Sequence, residues 1–197
     1  MSELRYDHLT VTGEIEALPE GALQKLTDTF AAVWPKIWER FGKGEMPEIE
    51  YKIKTHRGIA YTAGHHIGLN PGWLVDHPED IDCMTHELIH AAQCYPKYDP
   101  SWLVEAIADY GRGVYGRYNT EANWKLPEKY KGGKLQDGYR TAAAFLVWIE
   151  GKYDPEITDV CNRELQEDTY TPELWVKRTG KTVEALWEEY TRDGADA

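Results

Sequence analysis

The sequence predicts a mixed α/β fold of the α+β kind: a small N-terminal mixed sheet, a helix against it, and a helical C-terminal half. Three observations carry that expectation. Apolar residues recur at steps of three and four from Leu23 to Phe41, the mark of a helix with one buried face. Residues 48–54 alternate polar and apolar, which marks a half-buried strand. Beyond residue 78 the recurring period is helical.

Taken in order, residues 1–20 read as an irregular or extended lead-in anchored by Leu9, Val11 and Ile15. The first helix places Leu23, Leu26, Phe30, Val33, Trp34, Ile37, Trp38 and Phe41 on one face. Pro35 is expected to kink it, and Gly42-Lys43-Gly44 to end it. Residues 58–70 hold one or two further strands with a turn near Gly64, and Asn70-Pro71-Gly72 reads as a turn. Pro78, Glu79 and Asp80 suit a helix N-terminus, where fixed φ and negative charge are favoured. That helix should run to about Cys94. Pro96 and Asp99-Pro100 break it; Asp99 caps a second helix with Pro100 at its first position, ending near Tyr115. Residues 116–137, rich in Gly, Lys and Tyr, form a long loop of the kind that often carries function. Helices follow over 139–150, 157–167 and 183–190, the last capped by Thr182. With no repeat or linker, residues 1–197 are expected to form one domain.

Composition excludes some partners. A formal charge of −12 argues against nucleic acid and anionic membranes, both of which call for basic surface. No run approaches the roughly 18 apolar residues of a membrane span. The three cysteines, Cys83, Cys94 and Cys161, are read as small buried apolar residues. Cys83 and Cys94 would lie about 16 Å apart on one helix, too far to bridge. Trp34, Trp38, Trp148, Trp175 and Trp187 are expected in the core. The first residues lack the basic and apolar regions of a signal peptide, which fits either an intracellular chain or one whose leader has been removed. Oligomeric state is not legible.

The chemistry concentrates at Thr85-His86-Glu87-Leu88-Ile89-His90, a complete HExxH. Helical positions i and i+4 lie about 40° apart in projection, so His86 and His90 share a face and can ligate one zinc. Glu87 can reach over the same ion and act as general base. A hydrolytic zinc site needs a third protein ligand and an open position. Glu105, on the next helix after Pro100-Ser101-Trp102, supplies a candidate. One turn later, Asp109 could orient a ligating histidine through its free N–H, or form a salt bridge. The alternatives are a chance motif on a structural helix, and a capping or surface role for Glu105.

His86 to His90 with Gln93, residues 58–64, 103–110 (including Glu105 and Asp109), 138–146 and 180–187 fall in an order that resembles the basic secretory protein family, peptidases of plants and bacteria. The resemblance implies a zincin-like fold of gluzincin type, one Zn²⁺ per chain, peptide or protein substrates, and action outside the cell. The acidic charge departs from the family's name, and Ala106 stands where such sequences usually have Gly. Tyr139 is a candidate for stabilising the oxyanion, with a core tyrosine as the alternative. Ala60, Tyr61 and Thr62 are expected on a sheet-edge strand above the metal, where an extended substrate adds as a further strand. His65 and His66, adjacent in that region, cannot both face the site. The rival function is a zinc-bearing protein that binds a peptide or cell-wall component without turnover.

Overall fold

The computed structural model describes residues 2–195, with five strands and eight α-helices among them. The α+β expectation holds. The contacts divide the chain into two compact units, residues 1–94 with 111–124 and residues 95–110 with 125–197.

The first unit is built on one mixed sheet. β1 (Ser2–Tyr6) and β2 (Leu9–Gly13) form an antiparallel hairpin. After α1 (Ala22–Phe41), β3 (Ile49–Ile53) lies parallel to β2. β4 (Ala60–Ala63) and β5 (His66–Leu69) pair antiparallel, and β5 lies parallel to β3. The order is β1-β2-β3-β5-β4, so β4 is an edge strand, as expected for residues 60–62.

Alternation puts Leu9, Val11, Ile49, Tyr51, Ile53, Ile67 and Leu69 in the core, each essentially fully buried. α1 meets them with the expected face, Leu26, Phe30, Val33, Trp34, Ile37, Trp38 and Phe41. Phe30 stands edge-on to Tyr51 with centroids 5.7 Å apart. Each such large side chain contributes about 1.5–3 kcal/mol by leaving water. Glu50 accepts from Thr12 at 2.7 Å and pairs with His66 at 2.5 Å. These bonds hold its carboxyl below the usual range.

Four expectations for this part of the chain need correction. The lead-in is a hairpin, which turns at His8 with φ +55° rather than on a glycine. Asn70-Pro71-Gly72 starts a helix, α2 (Pro71–Asp76): Asn70 Oδ1 accepts from Gly72 N at 3.2 Å and Pro71 takes the first position. The HExxH helix, α3 (Cys83–Gln93), begins after Asp82 rather than near Pro78. His65 lies in the turn, not on a strand.

α4 (Ser101–Tyr115) starts one residue later than expected: Pro100, not Asp99, holds the capping position, its carbonyl accepting from Leu103 and Val104. The last five residues of α4, from Gly111, belong to the first unit and pass close to α3. A Cβ on Gly111 would stand 2.3 Å from Ile89 Cδ1, so any larger residue there would force the Ile89 side chain to shift. Arg112 donates to Asp80 at 2.6 Å, and Trp73 Nε1 donates to the other Asp80 oxygen at 2.8 Å. Asp82, fully buried, accepts from Thr85 Oγ1 at 2.6 Å and from Tyr118 N at 2.5 Å. These bonds fix the start of α3.

In the second unit, α5 (Tyr139–Lys152), α6 (Ile157–Gln166), α7 (Glu173–Thr179) and α8 (Val183–Ala195) pack around Phe145, Leu146, Ile149, Cys161, Trp175 and Leu186. α7 is an element that the periodicity does not predict. Thr182 caps α8, accepting from Ala185 N at 3.3 Å. Trp34, Trp38 and Trp175 are core as expected, while Trp148 and Trp187 are half-buried in an aromatic cluster with Phe145 and Tyr190. Glu189, held by Lys152, Lys181 and Tyr153, has its carboxyl pulled down to about 2. Residues 116–134 carry no helix or strand, as expected, and a short 3-10 turn follows at Leu135–Asp137.

Candidate metal centre

His86 and His90 project from one face of α3. Their Nε2 atoms lie 3.1 Å apart and their rings stand nearly perpendicular, at 83°. Two ring nitrogens at that separation share a proton or a cation. Tetrahedral zinc with bonds of 2.0–2.1 Å would hold two nitrogens about 3.3 Å apart, close to the observed spacing.

Gln93 sets the histidine chemistry. His90 Nδ1 lies 2.8 Å from Gln93 Oε1, so Nδ1–H donates to the amide oxygen and Nε2 is left with its lone pair toward His86. Gln93 is itself buried. The spacing reading missed this role. The signal was available: an amide three residues after His90 lies on the same helical face.

Glu105 completes the group. It sits six residues before Gly111 on α4, about 9 Å along the helix axis. One ligand atom from each of His86, His90 and Glu105 lies within 4.8 Å of the others. Glu105 is 9% exposed, which removes the surface-glutamate alternative. Two imidazole nitrogens and a carboxylate oxygen are a donor set that fits zinc. Asp109 is buried one turn further along α4.

Glu87 is turned away from solvent. Thr62 Oγ1 stands 2.7 Å from its Oε2 and 3.0 Å from its backbone oxygen. Ala60 and Thr62 are the half-buried positions of β4, and Tyr61 and Ala63 the exposed ones. The Tyr61 ring lies across Gly68, its partner on β5, and against His56 with centroids 5.1 Å apart. His66 is engaged with Glu50. Neither histidine of the pair at 65–66 belongs to the metal group.

Tyr139 opens α5 at φ +48°, directly after Gly138 at φ +68°. A Cβ on Gly138 would meet Glu105 Cβ at 3.3 Å and Trp102 Cα at 3.4 Å, so this turn lies close to the first turns of α4. Tyr139 is 54% exposed, which sets aside the core-tyrosine reading. Cys83 and Cys161 are buried as expected, and burial pushes both thiols well up. Cys94, at the α3 terminus, is exposed rather than buried as expected.

His86 and His90 of the HExxH helix and Glu105 of the next helix form a group that could hold one metal ion. The family model for peptidases of plants and bacteria, BSP, matches residues 8–190. The chain belongs to that family, and peptides or proteins are the substrates that membership implies. A comparison with curated proteins finds no match. No helix among the described residues is long and apolar enough to cross a membrane.

Proposed function

We propose that the chain is a zinc-dependent peptidase that hydrolyses peptide bonds by activating water. The observation that carries this reading is the convergence of His86, His90 and Glu105 donor atoms, with Glu87 next to His86 on the same helix. Zinc, when held there, supplies a Lewis acid that polarises the scissile carbonyl and makes water a nucleophile near neutral pH. Glu87 takes the proton from that water and returns it to the leaving amine. Gln93 keeps the His90 Nε2 lone pair available, and Asp109 is placed one turn from Glu105 to orient a ligating ring. The backbone of β4 at Ala60 and Tyr61 offers edge hydrogen bonds to an extended substrate.

Tyr139 donates its phenol to the oxygen on which charge develops. Its exposure, and its position directly after Gly138, support that role. Tyr139→Phe should lower kcat by about a hundred-fold with zinc retained, the size of a lost oxyanion donor. Unchanged turnover would remove Tyr139 from the mechanism.

The overall reading is tested on protein purified without added metal. About one zinc per chain is expected, with cleavage of an unfolded protein substrate that a chelator abolishes and zinc restores. Zinc without turnover on any peptide tried would favour the binding-protein reading. Neither zinc nor turnover would overturn the proposal.

A further inference from the structure

We infer that Thr62 is a positioning residue for Glu87, holding its carboxylate from the edge strand; this rests on the reading of Glu87 as the proton acceptor. The hydroxyl of Thr62 lies 2.7 Å from Glu87 Oε2 and 3.0 Å from the Glu87 carbonyl oxygen. A hydroxyl has one proton to give, and an ionised carboxylate only accepts, so the shorter contact is a charge-assisted bond from Oγ1 to Oε2.

Two features make Thr62 a rigid holder. It is β-branched and therefore stiff at χ1. It also sits within a paired strand, opposite Ile67, so its backbone does not swing. Alternation along β4 turns it inward with Ala60, toward α3. Glutamate has three rotatable bonds, and tying one oxygen fixes where the other can be. A base must stand within about 3 Å of the proton it removes, so this restraint bears on rate more than on substrate affinity.

The side chain of Thr62 is therefore committed to Glu87 and not to a substrate side chain, which narrows the sequence expectation for residues 60–62. The backbone of the same strand remains at the sheet edge. One strand thus places both the edge on which a peptide would pair and the group that sets the base.

The test uses Thr62→Val, which keeps shape and branching, and Thr62→Ser, which keeps the hydroxyl. Thr62→Val should lower kcat about 10–100-fold, the range found when a group supporting a catalytic residue is removed, with KM within about twofold and zinc content unchanged. Thr62→Ser should recover most of that loss. A second readout needs no metal or turnover. In metal-free protein, Thr62→Val should lower the urea midpoint, and that drop should vanish in a Glu87→Ala background, as for two groups that act together.

Unchanged kcat in Thr62→Val would overturn the inference. So would a rise in KM alone, or a midpoint drop that persists without Glu87. Full activity in Glu87→Gln would instead remove the base reading, and the urea cycle would still report whether Thr62 and Glu87 are coupled.

Discussion

Glu87→Gln should keep its zinc and cleave peptides at least about a hundred-fold more slowly than the parent protein, since general-base catalysis is worth about 10²–10⁴ in rate. A hundred-fold corresponds to about 2.7 kcal/mol of transition-state stabilisation. The substitution is close to isosteric, and the amide oxygen can still accept from Thr62 Oγ1, now 2.7 Å from Oε2. α3 and its two histidines are thus left in place, and what is lost is the ability to hold a proton. The check is kcat/KM on a quenched fluorescent peptide, with zinc per chain measured on the same preparation. Full-rate cleavage would show that Glu87 is a buried structural carboxylate, and the hydrolytic mechanism would need another base.

The parts of the fold that were legible in the sequence are those with enough periods to average over. α1 repeats its apolar step across 20 residues, and the structure buries that face as read except at Leu23, which is half-buried. β3 alternates over its full length. The misses have too few buried positions to form a pattern. Glu3 to Tyr6 of β1 are all exposed, so nothing in its sequence distinguishes it from a loop; pairing with β2 alone makes it a strand. α7 is seven residues with only Leu174 and Trp175 buried. α2 is a different kind of miss: Asn70 followed by Pro71 is an N-cap and a first helical position, and a turn reading uses the same residues differently.

At the site, the local relations were legible and the tertiary ones only in outline. His86 and His90 follow from helical geometry, and their Nε2 atoms do meet. Glu105 as third ligand required a packing assumption about two helices, which no helical spacing supplies. The bond between Thr62 and Glu87 joins residues 25 apart in the chain, and no spacing rule reaches across that interval. Family resemblance pointed to residues 58–64 and 138–146 as blocks. Only the structure separates, within them, Thr62 turned inward from Tyr61 turned out, and Gly138 close to the first turns of α4 from Tyr139 exposed.

Glu105→Ala should leave the fold intact and empty the metal centre. A Cβ added at Gly138 would stand 3.3 Å from the Glu105 Cβ, an atom that alanine retains, so the space beside the turn into α5 is unchanged. The carboxylate alone is removed. Groups that merely orient a ligand already cost about 10–100-fold in metal affinity when lost, and a ligand itself should cost more. Purified beside the parent protein without added metal, the variant should hold less than about a tenth of the parent's zinc per chain by elemental analysis, and its peptidase activity should fall in proportion. Zinc that persisted in the variant would leave the HExxH as the metal helix and move the third ligand elsewhere, with Asp109 the nearest acid along α4, one turn away. Absence of zinc from both proteins, with none taken up on addition, would make the 3.1 Å meeting of His86 and His90 a shared proton, and the enzymatic reading would fail with it.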